Sequence, residues 1–277
     1  MTMNVLVTLD SNYVLPLCNM LESMLASNSG ASFKIYVAHS SLNKSDFSKI
    51  KKSCRNFSAQ IISIQVPDYL FEGAPKCKRI TKETYYRIFA PLYLPEDVER
   101  VLYIDPDTLV INSLNNFYNV DFGNAYYAGA GHFTGLIDRW NKFRLSLKKS
   151  RRYINAGVLM MNIKALRENF SERDLFDFIK KYEKILFLAD QDVINKYYDG
   201  KILVFDPVAV NLDERTFSNL LKRFSKNEAF EVVKNHTVII HYDGKNKPWK
   251  KGYKGDLGVF YKNYATLFDA EKKYVCA

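Results

Sequence analysis

Hydrophobic and polar positions over the first hundred residues switch repeatedly between two periods. Residues 3–9 form a continuous apolar, β-branched run, which reads as a strand covered on both faces, and Asp10-Ser11-Asn12-Tyr13 interrupts it. Residues 14–26 then take helical spacing, with Leu17, Met20, Leu21, Met24 and Leu25 on one side. A strand over 33–38, an amphipathic helix over 43–57 and a strand over 60–66 follow. Residues 81–94 read as one helix with Tyr85, Ile88, Phe89 and Leu92 inward, and 101–104 as a short buried strand. This rhythm predicts an α/β fold, a Rossmann-like, mostly parallel central sheet flanked by helices. Past residue 107 the pattern loosens. Strands are expected over 126–130, 157–163 and 237–241, a helix capped by Ser171, and a short helix over 191–198. Neither a repeat nor a linker divides the chain, so a single domain over 1–277 is expected.

Composition narrows the class of protein. With 47% hydrophobic and 25% charged residues in 277, the chain is ordinary globular material with enough length for a large core. Cys18, Cys54, Cys77 and Cys276 show no C-x-x-C spacing, which suits a reducing cytoplasm rather than a disulfide or zinc framework. The N-terminus lacks the basic region of a signal peptide, and no stretch reaches the about 20 apolar residues of a membrane span. The expectation is a cytoplasmic protein. The net charge of +10 points to an anionic partner. Its clusters, Lys148-Lys149-Ser150-Arg151-Arg152 and residues 245–254, accompany no nucleic-acid-binding motif, so no nucleic-acid partner is expected.

Candidate chemistry gathers at the predicted strand ends. Asp105-Pro106-Asp107 follows the 101–104 strand, where open α/β sheets bind ligands, and its two carboxylates can chelate a hard divalent cation that grips a diphosphate. The same residues also suit a plain Asp-Pro turn. After the first strand, Asp10 and Asn12 can meet a uracil edge or ribose hydroxyls and Tyr13 can stack on a base, or Asp10 simply caps the next helix. Arg87, on an otherwise apolar helix, requires an anion if it faces inward. Asn155-Ala156-Gly157 places two small residues and an amide at a strand mouth. Asp190-Gln191 opens a helix, as a cap or as a sugar-binding carboxylate beside an amide facing the reacting carbon. His241-Tyr242-Asp243-Gly244-Lys245-Asn246-Lys247-Pro248-Trp249 offers a nitrogen ligand, a flexible glycine and a cation for phosphate. Both a G-x-G-x-x-G fingerprint after the first strand and a Walker A sequence are missing, so phosphates would be held largely through a metal.

Taken in order, D-x-D at 105–107, N-A-G-V-L-x-x-N at 155–162, D-Q-D at 190–192 and H-x-x-G-x-x-K-P-W at 241–249 resemble glycosyltransferase family 8, over residues 5 to about 253. The resemblance implies the GT-A nucleotide-diphospho-sugar transferase fold and a retaining, Mn²⁺-dependent transfer (Mg²⁺ being the alternative ion) of glucose or galactose from a UDP-sugar. The product would be an α-linked glycan, glycolipid or glycoprotein. It implies Asp105, Asp107 and His241 as metal ligands, and Thr8, Asp10, Asn12 and Tyr13 around uridine. Arg87, Asp105, Asn155, Asp190 and Gln191 would surround the sugar, and Gly244 and Lys247 the phosphates. Pro106, between the two carboxylates, is counted with the donor-binding residues. Gln191 and Asp190 are the candidate catalytic residues, and the basic segment from about 245 to 277 would close over the donor. Residues 133–150 and 212–224 are expected as acceptor-facing loops. Lys250, Lys251 and Lys254 with Trp249 and Tyr253 are the candidates for contact with the inner face of a membrane. The rival readings are a donor-binding protein without turnover and a metal-dependent nucleotidyltransferase. The second would need a glycine-rich basic loop where Asp10-Ser11-Asn12-Tyr13 stands.

Overall fold

The structure is a computed structural model and describes residues 1–71, 82–131, 135–149 and 152–264. Its strands are β1 (Thr2–Thr8), β2 (Ser32–His39), β3 (Ala59–Gln65), β4 (Arg100–Ile104), β5 (Thr108–Val110), β6 (Tyr127–Ala130), β7 (Val158–Asn162), β8 (Ile202–Phe205) and β9 (Ile239–His241). The main sheet runs β3-β2-β1-β4-β7-β6-β8. All its pairings are parallel except those of β7, which runs against both β4 and β6. The expected mostly parallel sheet flanked by helices is therefore present, with one reversed strand. β5 and β9 form a separate antiparallel ribbon in which Thr108 faces His241.

Strand β4 explains its own place in the centre. Val101 and Tyr103 point into one apolar layer, and Leu102 and Ile104 into the other. A strand without a polar side has no tolerable position at a sheet edge. Helix Val14–Ala26 lays Leu17, Met20, Leu21, Met24 and Leu25 onto the second layer, as its spacing predicts. A third cluster, around Leu109, Phe217, Val233 and Ile240, packs the ribbon against the later helices.

Several expected elements differ in detail. The helix anticipated over 81–94 is two helices, Lys82–Ile88 and Ala90–Tyr93, separated at Phe89. Pro91 supplies the cause, since it has no N–H to donate and its ring crowds the carbonyl four residues back. Leu92 consequently points outward, at 44% exposure, instead of inward. The helix expected over 43–57 ends at Ser53, although its start is anchored by an Asn43–Asp46 capping box. Ser171 caps Glu172–Tyr182 as expected, accepting from Asp174 N. The segments read as loops hold helices Gly135–Leu145 and Glu214–Leu220. Trp249 and Tyr253, read as membrane-facing, pack against the third cluster. Cys18 and Cys54 are buried free thiols, with burial pushing Cys54 up to about 12; Cys77 and Cys276 lie outside the described residues. No helix among the described residues is long and apolar enough to cross a membrane.

One buried ion pair ties the later helices to the sheet edge. Arg144 grips Asp192 through both terminal nitrogens, at 2.7 and 2.8 Å, and its guanidinium lies over the rings of Trp140 and Phe187. Asp192 also accepts from Tyr153 Oη at 2.6 Å and Leu188 N at 2.8 Å. Removing one partner of such a pair strands a charge in the interior. Arg144→Met should therefore lower the unfolding free energy by about 3 kcal/mol or more in denaturant titration. An unchanged midpoint and slope would overturn this role for the pair.

Candidate functional site

The site forms where three chain segments reach one edge of the sheet. Asp105-Pro106-Asp107 turns from β4 into β5, with Pro106 buried in the bend. Because β7 runs backwards, its beginning, not its end, lies beside the end of β4, with Ile104 opposite Val158. Asn155-Ala156-Gly157 is thereby delivered to Asp105, whose N–H donates to Gly157 O at 2.8 Å. The ribbon brings in the third segment by pairing Thr108 with His241. Ligand atoms of Asp105, Asp107 and His241 all lie within 4.8 Å of one another. His241 Nε2 stands 3.3 Å from Asp107 Oδ1 and 4.0 Å from Asp105 Oδ2. Gly157 makes this approach possible: a Cβ there would overlap His241 Cε1 and come within 2.7 Å of Asp105 Oδ2. The small residue makes room for two side chains of the chain itself.

A chain of amides sets the orientation of His241. Gly157 N donates to Asn155 Oδ1 at 2.8 Å, and a backbone N–H can only donate, so that atom is the oxygen. Asn211 must then present Nδ2 to the same oxygen, at 3.1 Å, and its own Oδ1 to His241 Nδ1, at 2.9 Å. Nδ1 therefore carries a hydrogen, and Nε2 faces the two carboxylates. Asp107 Oδ1 is buried there without a hydrogen-bond donor in line. Two carboxylates and an imidazole nitrogen so arranged call for a cation between them, a proton or a metal ion. The electrostatics agree. Burial would raise the Asp107 carboxyl, but His241 and Lys247 outweigh it and hold the group well below the usual carboxylate range. Burial would lower His241, but Asp107 and Asp105 reverse the balance and raise it.

Arg87 faces inward and has the anionic partners its position demands. Its Nε lies 2.8 Å from Asp190 Oδ2, its Nη2 3.3 Å from Asp105 Oδ1, and its Nη1 donates to Ala156 O at 2.7 Å. The guanidinium also lies 4.4 Å from the centre of the Tyr103 ring. Even so, burial keeps the Asp105 and Asp190 carboxyls above their ordinary values, with Arg87 opposing the rise. Asp190 follows Ala189, whose φ of +49° is a left-handed conformation that costs an alanine about 1 kcal/mol. Thr8 Oγ1 lies 2.9 Å from Tyr103 Oη, and Tyr103 donates to Asp105 at 2.6 Å. Thr8 thus supports the carboxylate from below.

Gln191 is held at three points. Its Oε1 accepts from Asn155 Nδ2 at 3.0 Å and Ala156 N at 3.2 Å, and its Nε2 donates to Tyr153 Oη at 3.0 Å. The amide chain starting at His241 therefore runs on through Asn155 and Gln191 to the Arg144–Asp192 pair.

The remaining candidates lie around this centre. Asp10 accepts from Asn12 N at 2.9 Å and caps the short turn Ser11–Tyr13, the local role its position also suggested. Tyr13 meets Trp249 edge to face at 6.2 Å. Lys247 Nζ lies 5.9 Å from that indole and is buried, donating to Asp107 Oδ2 at 2.5 Å and Tyr242 O at 2.7 Å. The expected uridine and phosphate motifs are thus neighbours. Gly244 lines a cavity of about 310 Å³ with Glu214, His241, Tyr242 and Tyr253. The structure adds Tyr103, Tyr153 and Asn211 to the residues singled out from sequence. Tyr103 had a legible signal, sharing a strand face with Asp105 two residues on. Asn211 had none, because its partners are remote in sequence.

The comparisons with known proteins agree with this geometry. A model of the family described as Glycosyl transferase family 8 matches residues 4–252. The chain is 26% identical over 273 residues to General stress protein A of Bacillus subtilis, covering 95% of this chain and 93% of that one. It is 24% identical to Lipopolysaccharide 1,3-galactosyltransferase of Salmonella typhimurium, covering 89% and 72% of the two chains. With Lipopolysaccharide 1,2-glucosyltransferase of Escherichia coli K12 it shares 22% identity, covering 90% and 73%. Among solved structures, the galactosyltransferase LgtC in complex with donor and acceptor sugar analogues superposes with a TM-score of 0.78 at 21% identity, covering 95% of each chain. The GT-A fold expected from sequence is therefore the fold observed. By the span of the family match, this chain belongs to glycosyl transferase family 8 and is a sugar transferase.

Proposed function

We propose that the chain, as one catalytic domain over 1–277, is a retaining hexosyltransferase. It would move glucose or galactose from a UDP-sugar to a hydroxyl of a glycan, a lipid-linked sugar or a protein, giving an α-linkage. The observation that supports this reading best is the fit of Asp105, Asp107 and His241 to a divalent cation, with Nε2 turned on two carboxylates and Asp107 Oδ1 buried without a donor in line. One borderline nitrogen among oxygens favours Mn²⁺ over Mg²⁺. When bound, the cation neutralises the diphosphate and supports its departure. The galactosyl and glucosyl activities named for two relatives support a hexose donor.

The protein's own groups account for the rest of the transfer. Asp10, Asn12 and Tyr13 would meet uridine beside Trp249, while Gly244 and Lys247 cover the phosphates. Lys247 supplies positive charge to the leaving diphosphate. Arg87 positions Asp190 for the donor hydroxyls, and Asn155 aligns Gln191. Neither candidate nucleophile suits a double displacement: Gln191 Oε1 already accepts two hydrogen bonds, and Asp190 is paired with Arg87. Front-side attack fits better. The bond from sugar C1 to phosphate oxygen breaks, the acceptor oxygen bonds C1 on the same face, and its proton passes to the departing phosphate oxygen. The cavity beside His241, lined by Glu214 and Tyr253, has carboxylate and phenol groups suited to acceptor hydroxyls.

The direct test is UDP release from a panel of UDP-sugars, with and without Mn²⁺. Release from one hexose donor only in the presence of Mn²⁺ is expected. No release, together with no Mn²⁺-dependent rise in Tm on adding UDP, would refute the reading. Asp107→Ala should remove Mn²⁺-dependent release while leaving the circular dichroism unchanged; full activity would remove Asp107 from the metal site. Gly157→Ala should weaken Mn²⁺ binding about tenfold or more by calorimetry, because the added methyl displaces His241 or Asp105; unaltered affinity would mean that the crowding is relieved elsewhere. Gln191→Ala should slow transfer about a hundredfold with UDP affinity nearly unchanged. Equal losses in both would make it a binding residue.

A further inference from the structure

Helix Gly135–Leu145 is amphipathic the wrong way round for a soluble surface. Leu136, Trp140 and Phe143, spaced to share one face, are 79, 53 and 85% exposed, while Asn141 and Leu145 are buried. The inward face is largely polar: Asp138 accepts from Tyr153 N, and Arg144 donates to Asn141 Oδ1 and pairs with Asp192. The apolar face is extended by Phe187 and Leu188, at 40 and 46% exposure, and Phe187 stacks on Trp140 at 6.2 Å. Arg144, beneath both rings, fixes the two elements together. The apolar patch thus spans two elements joined by ring stacking and by Arg144, instead of being a scatter of single residues.

Charge identifies what the patch fits. Residues 139–152 contain seven Lys and Arg and no Asp or Glu. Of these, Arg139, Lys148, Lys149 and Arg152 are exposed. Apolar and aromatic tips within a basic rim match an anionic bilayer interface, where rings enter the headgroup layer and cations meet lipid phosphates. A second copy of the chain would bring two basic faces together about a symmetry axis, and their repulsion disfavours it. Within 133–150, expected to face the acceptor, Asp138, Asn141 and Arg144 turn toward Tyr153 and Asp192, while core packing makes no use of the outward Leu136 and Phe143. The aromatics of the 249–253 segment, the other candidates for such contact, are turned inward.

We propose that the outer face of helix Gly135–Leu145, with Phe187, Leu188 and the exposed Arg139, Lys148, Lys149 and Arg152, docks this protein onto an anionic phospholipid surface. The proposal does not depend on the sugar donor or on turnover. The full chain is floated with vesicles of phosphatidylcholine alone and with vesicles in which about a third of the lipid is phosphatidylglycerol. Binding to the anionic vesicles only, weakened by salt, is expected. L136S/F143S and K148Q/K149Q should each weaken it about tenfold or more, with melting temperatures close to wild type, because the altered side chains are exposed and glutamine places no new negative charge beside Asp199, which holds Lys148 N and Lys149 N. Failure of the wild-type protein to float with anionic vesicles would overturn the proposal, as would variants that float like wild type. A dimer in analytical ultracentrifugation that L136S/F143S dissociates would also overturn it, assigning the patch to a second copy.

Discussion

Three carboxylates brought together at one buried sheet edge set the terms for the rest of this structure. Asp105, Asp107 and Asp190 would repel one another and resist desolvation if left alone. Arg87 sits between Asp105 and Asp190, while Lys247 and His241 converge on Asp107. Arg87 comes from the helix at 82–88, and His241 and Lys247 from the end of the β5–β9 ribbon and the loop behind it, so the edge cannot form until these remote segments are in place. The acidic centre therefore depends on the tertiary fold. The reversed strand β7 is part of the same solution, because only its N-terminal end could bring Gly157, without a side chain, between His241 and Asp105.

Much of this was legible in the amino-acid order, and the omissions have physical causes. Residues 1–66 announce their strands and helices because short apolar runs and helical spacing alternate cleanly there, and β4 announces its central place by having no polar face. Apolar runs carry no arrow, however, so the reversal of β7 could not be read. Strand β8 escaped notice because it lies at the sheet margin, half-buried, with a weak pattern. Asp105, Asp107 and His241 stand in recognisable motifs. Asn211 does not, since what makes it matter is a hydrogen bond to a histidine 30 residues away.

The acidic edge and the outward-facing helix share a support. Arg144 pairs with Asp192 inside and underlies Trp140 and Phe187 outside, so the segment carrying Asp190 and Gln191 is braced against the apolar patch. The left-handed backbone at Ala189 lies between them and gives Asp190 its aim.

The amide chain from Gly157 through Asn155 and Asn211 to His241 has a direction as well as a shape. One main-chain N–H, which no substitution short of proline can invert, dictates which end of each amide points where. Shape and polarity are therefore inherited separately along this edge: an aspartate could fill the outline of either asparagine while breaking the sense of the whole sequence of bonds. Positions 157 and 241, already packed against each other, are thus tied a second time through 155 and 211. Position 155 must keep an acceptor toward Gly157 N, and position 211 a donor toward that same oxygen.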